Sequence, residues 1–191
     1  FSPEALGIFD YLFTDAMTIV DKGRISRIYR PEEVYYDGRS KQQYMDVIVD
    51  QTVKILTNEP ADIYANPTYI PDDMQPDYDK YWTDARVDKV LDVLEKYHIA
   101  LEINPRYKIP SFDIIKKAKA RGLKFTFGTN NVDANFGKLE YAIEAIKGFF
   151  GFEFKWPKLK MPHFKFSGSW NPFDWSEQFP SIGVEWYAKA M

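Results

Sequence analysis

The chain of 191 residues has no cysteine and only two histidines, His98 and His163. Disulfides and thiolate metal sites are therefore excluded. Any metal site must be built mainly from carboxylates and amides, donors that suit hard cations better than zinc. No run of about 18 apolar residues occurs, so the sequence offers no transmembrane helix. It also lacks a Gly-rich phosphate cradle, a nucleophile elbow and paired histidines at helical spacing. The net charge is −3 with the two signs interleaved, so no field gathers nucleic acid or an anionic membrane. The opening "FSPEALGIFDYLF" has neither a basic start nor an initiator Met, and it reads as a chain that begins inside a fold rather than as a signal peptide. A cytoplasmic location is expected.

What is present is the balance of a globular protein, 45% hydrophobic and 28% charged, in a chain long enough for one domain with an appendage. Over residues 1–147 short apolar runs alternate with amphipathic segments. "FDYLFTDAM" reads as a buried strand, and "KQQYMDVIVDQTVKILTN" as a helix with Tyr44, Val47, Ile48, Gln51 and Ile55 on one face. "ADIYANPTYIP" is a short strand ended by Pro67. "TDARVDKVLDVLEKYH" is a helix capped by Thr83. "IALEINP" is the next strand, "SFDIIKKAKARG" a helix from Ser111 to Gly122, "LKFTFG" a strand, and "NFGKLEYAIEAIKGFF" a closing helix. This alternation predicts an α/β fold, a partial parallel (β/α) barrel of about four to five βα units. Residues 21–41, rich in charge, read as an insertion or long loop on the face where strands end.

After Lys147 the pattern changes. Residues 148–191 carry period-2 aromatics (Phe152, Phe154, Trp156) and prolines without a helical stripe, which predicts a β-rich, extended tail. A module of this size buries little core alone and needs a partner surface.

Ligands of parallel α/β folds bind beyond the carboxyl ends of the strands. That rule selects Thr14 and Asp15 after the first strand, Asn66 after the second, Glu102, Asn104 and Arg106 around the third, and Thr129, Asn130 and Asn131 after the fourth. Each has a plainer explanation. Asn-Pro at 66 and 104 is a turn opener, and Asn130-Asn131 ahead of a helix serves capping and a left-handed turn equally well. A carboxylate at Asp15 must be hydrated, paired or bound to a cation. His98 fits a helix C-terminus, and His163, between Pro162 and Phe164, fits packing.

"FDYLFTDAMT", "ADIYANPTYIP", "ALEINPRYKIPSFDIIKKAKARGLKFTFGTNN" and "FGKLEYAIEAIK" together resemble the C-terminal portion of the polymerase and histidinol phosphatase (PHP) superfamily, metal-dependent phosphoesterases built on a distorted (β/α) barrel. The family's opening His-x-His strand has no counterpart here. Asn66 stands where the family places His before Pro, and Gly128-Thr129-Asn130-Asn131-Val132 replaces its closing Asp-x-His. Amides bind divalent cations weakly and Val132 cannot bind one, so the resemblance implies impaired or lost hydrolysis of a phosphate ester. In its terms Asp15 and Glu102 hold a divalent ion (Mn, Mg or Zn), with Asn130 beside them in the catalytic set. Asn66, Asn104, Arg106, Thr129 and Asn131 bind a small phosphorylated ligand. A ligand-binding pseudoenzyme is the variant of this reading without chemistry.

"MPHFKFSGSW" followed by "FPSIGVEWYAKAM" is similar to the C-terminal end of phage tail tape-measure proteins. That likeness implies a structural or assembly protein of phage type, a virion location, and a protein partner or self-association through the tail and the open edge of the barrel fragment.

Overall fold

A computed structural model describes residues 3–128 and 139–150, and every structural statement below concerns these residues. The aromatic tail, Thr129, Asn130, Asn131, Val132 and His163 lie outside them.

Four parallel strands form the sheet: β1 (Phe13–Thr14), β4 (Ile63–Tyr64), β5 (Ala100–Ile103) and β6 (Phe125–Phe127), in the spatial order β1-β4-β5-β6. Register is fixed by Phe13 opposite Ile63, Ile63 opposite Ala100, and Glu102 opposite Thr126. Between β1 and β4 the chain makes an antiparallel hairpin, β2 (Thr18–Asp21) and β3 (Arg24–Arg27). The helices are a single N-terminal turn, α1 (Pro3–Leu6), then α2 (Lys41–Asn58), α3 (Tyr78–Tyr81), α4 (Asp84–Tyr97), α5 (Phe112–Ala120) and α6 (Glu140–Ala145), the last continuing as a π turn, Ile146–Phe150.

α2 begins at a reciprocal capping box: the Ser40 hydroxyl accepts from the Gln43 N–H, and the Gln43 side chain accepts from the Ser40 N–H. Its buried face is Tyr44, Met45, Ile48, Val49, Thr52 and Leu56, one step round from the stripe that the apolar spacing suggests. Val47, Gln51 and Ile55 are only half-buried; the helix packs chiefly on α4 and on the hairpin strand β2. α4 buries Val87, Val90, Leu91 and Leu94 against it and ends on His98, exposed and left-handed at φ 57°. Thr83 and Ser111 do precede α4 and α5 in extended geometry, but neither side chain caps its helix. α5 stops at Gly122, φ 76°, where glycine carries the left-handed conformation without a Cβ penalty.

Neighbouring helices are tied in chain order. Arg86 of α4 pairs with Asp46 of α2 at 2.8 Å. Lys117 of α5 bridges Asp84 and Asp88 of α4, both at 2.9 Å, and Arg121 joins Asp88 and Asp92. The Phe112 and Tyr141 rings stack at 4.6 Å between α5 and α6.

Two expectations change. "FDYLFTDAM" is not a buried strand: only Phe13–Thr14 is paired, and Phe13 is 70% exposed because β1 is the edge of the described sheet. Residues 21–41 are not a plain loop. Lys22 and Gly23, at φ 48° and 78°, form the two-residue turn that the twist of a hairpin favours, with Asp21 opposite Arg24.

Candidate functional site

The carboxyl ends of β1, β4 and β5 bring Asp15, Asn66, Glu102 and Asn104 to one rim. Asn104 is fully buried, and its amide organises the rest. Its Oδ1 accepts from the N–H groups of Arg106 (3.0 Å) and Tyr107 (3.2 Å), and its Nδ2 donates to Asn66 Oδ1 at 2.8 Å. The backbone of Asn104 also exchanges both hydrogen bonds with Ile109, closing the 104–109 turn. Arg106 is exposed at the outer lip, its guanidinium 5.2 Å from the Tyr107 ring centroid.

Glu102 sits at the centre, half-buried. Its Oε2 accepts from the Asn66 N–H at 2.6 Å, a short charge-assisted bond. Burial pushes its carboxyl up from the ordinary carboxylate range. The Asn66 N–H and the Asn104 amide oppose that shift, and the negative charge of Asp15 adds to it. Gly128, at the end of β6, closes over this carboxylate. A Cβ there would overlap Glu102 Oε1 and lie 3.0 Å from Cδ, so any larger residue would displace the carboxylate from this position.

Behind the rim the loop after β4 is held by a polar knot on Thr68, which is 3% exposed and left-handed at φ 62°. Trp82 Nε1 donates to its carbonyl (2.8 Å), Tyr78 donates its hydroxyl to Thr68 Oγ1 (2.5 Å), and the Thr68 N–H reaches the Tyr64 hydroxyl (3.4 Å). Burial raises the Tyr64 phenol to about 12, so it stays protonated. Asn66, at φ 46°, is left-handed as well. The Asn-Pro turn and the strand-end site are thus one structure.

As metal ligands Asp15 and Glu102 fit poorly. Asp15 Oδ1 accepts from the Met17 N–H at 3.1 Å in a local turn, and both Glu102 oxygens face protein backbone. Among the described residues no three His, Asp, Glu or Cys side chains converge as a metal group.

Sequence reasoning missed two places. The Gly128–Glu102 approach follows from strand register, which a single sequence does not print. The second place is a cleft of about 180 Å³ beneath the β2–β3 hairpin, lined by Asp21, Arg24, Ser26, Tyr35, Asp37 and Tyr44 among others. Its signal was the Lys22-Gly23 dipeptide between alternating residues. A shallower hollow of about 430 Å³ lies by the first turns of α4 and α5, where Lys117 is already shared by Asp84 and Asp88.

A scan of family models, a search of curated proteins and a search of solved structures each gave no match to this chain. Among the described residues no helix is long and apolar enough to cross a membrane.

Proposed function

We propose that the protein binds a small phosphorylated ligand at the strand-end rim and that hydrolysis of the ester, the reaction the PHP resemblance implies, is weak or lost. In this reading the four parallel strands are a sector of a (β/α) barrel, supported by their chain-order arrangement. The observation that carries it is the Glu102 carboxylate, drawn into a network of Asn66, Asn104 and Gly128 at the place where such folds collect ligands. The network spends the carboxylate on shaping backbone N–H groups, a use suited to positioning an anion's neighbours rather than to holding a divalent ion. Arg106 at the lip is the residue assigned to the phosphate.

Thermal denaturation with inorganic phosphate and a sugar phosphate, with and without manganese, tests this reading. A ligand that binds only the folded state raises the melting temperature. The expected result is a saturable rise that Arg106→Ala reduces, together with negligible hydrolysis of a chromogenic phosphate ester in manganese, magnesium or zinc. Turnover abolished by both Asp15→Ala and Glu102→Ala would restore the enzyme reading. No rise with either phosphate would remove both.

A second reading, a non-catalytic assembly protein that meets a protein partner or its own copy, is favoured by the apolar side chains preceding and within the edge strand. Ile8, Phe9, Tyr11 and Phe13 are 77%, 57%, 61% and 70% exposed. It expects a concentration-dependent mass in light scattering that Phe13→Glu abolishes; a constant monomer mass excludes self-association by this edge.

A further inference from the structure

The hairpin cleft differs from the rim in one respect that points to a ligand. Tyr44, the fourth residue of α2, is 1% exposed, and its hydroxyl has no hydrogen-bond partner. The Ser26 hydroxyl, which gives its own proton to the Glu33 carbonyl at 2.6 Å, lies near enough to interact with it. A buried donor left in this state is destabilising, a penalty that phenylalanine at the same position would avoid.

The charges around the cleft are unequal. Asp21 is paired with Arg39 at 2.7 Å, and Asp37 with Lys22 at 2.6 Å. Arg24 joins no ion pair among the described residues; its guanidinium lies 4.1 Å over the Tyr35 ring, which holds the fork in place while leaving its N–H groups available. Both carboxylates are therefore neutralised, and one cation remains. The volume of about 180 Å³ is several times the ~30 Å³ share of a water molecule, so the space admits a group larger than a single bridging water.

We propose that this cleft is a binding site for a compact oxyanion, a carboxylate or phosphate group, one oxygen of which accepts from the Tyr44 hydroxyl while the Arg24 guanidinium meets its charge. A guanidinium fork matches either anion with two parallel N–H bonds, and the buried hydroxyl supplies a third donor. The site is independent of the strand-end rim: its residues come from β2, β3, the loop before α2 and the first turns of α2.

The experiment is a titration of the full chain with inorganic phosphate and, separately, with malonate, at constant pH and ionic strength set with chloride. Amide chemical shifts and melting temperature are followed in wild type, Tyr44→Phe and Arg24→Gln. Saturable shifts at residues 21–26 and 37–44, with affinity at least tenfold weaker in both variants, support the proposal. The anion that gives them identifies phosphate or carboxylate. Tyr44→Phe is expected to melt at the same or a higher temperature than wild type without ligand, and Arg24→Gln, on the surface, supplies the same test should the first variant fold poorly. Affinity unchanged in both variants, shifts confined to the ends of β4 and β5, or an equal response to chloride each overturn it. Glu102→Gln separates the two sites, since it alters only a response that comes from the rim.

Discussion

The rim and the hairpin cleft are both polar recesses beside buried tyrosines, yet their hydrogen bonds are distributed in opposite ways. At the rim the buried groups have internal partners: Asn104 is used on both sides of its amide, Glu102 is held by Asn66, and Tyr64, Tyr78 and Trp82 close on Thr68. In the cleft a hydroxyl as deeply buried as any of these is left without one. A saturated network contributes to stability and fixes shape; an unsaturated one gives up stability and keeps a vacancy of chemistry. Buried tyrosine hydroxyls are thus bonded within the protein behind the rim, while the one in the cleft is the donor assigned to the proposed anion.

The contrast fails first, if it fails, at Asn104. Asn104→Ala strips an acceptor from two N–H groups and a donor from Asn66, and is expected to cost roughly 2–4 kcal/mol in urea unfolding. A loss below ~1 kcal/mol would mean the rim is not a rigid unit. Next comes Gly128→Ala, which forces the Glu102 carboxylate away from Asn66. A destabilisation of about 1–3 kcal/mol is expected, with phosphate binding at the rim lost and any response of the hairpin amides retained.

How far this pattern could be read from sequence depends on the span of the interactions. The helices of residues 84–120 and the strands flanking them were legible because α4 and α5 present regular apolar stripes, and glycine ends α5. Asp15, Asn66, Glu102 and Asn104 were placed at one rim by the strand-end rule alone, and the structure brings them together. Their roles were not legible: Asn66 and Glu102 are 36 residues apart, and only register makes one cap the other. β1 misled because "FDYLF" has the composition of a buried strand but no second neighbour in the described sheet. The hairpin was hidden by the charges of Asp21, Lys22 and Arg24, which lie in a turn-forming stretch that binary patterning reads as loop.

Acidity sharpens the comparison further. The Glu102 carboxyl is raised in the folded state, so the native protein binds that proton more tightly than the unfolded chain. Its contribution is full below the ordinary carboxylate pKa and is lost as pH rises through the raised value. Asp73 and Asp88 are lowered and act with the opposite sign. The difference between wild type and Glu102→Gln isolates the first effect: relative to the variant, wild type is expected to gain stability as pH falls from 7 towards 4.5. A parallel pair of melting curves across that range would contradict the burial of Glu102. The smallest effect is that of Tyr44→Phe without ligand, from no change to a gain of about 1 kcal/mol. A clear loss would show that the hydroxyl is internally bonded after all.

The knot on Thr68 has a consequence for rates. A β-branched residue held left-handed is strained by about 1–3 kcal/mol, and three side chains keep it there whether or not a ligand is present. On the proposed reading, the loop after β4 needs little further ordering to receive a ligand. Association at the rim should follow a single phase whose rate rises in proportion to ligand concentration, without the plateau that a slow rearrangement imposes.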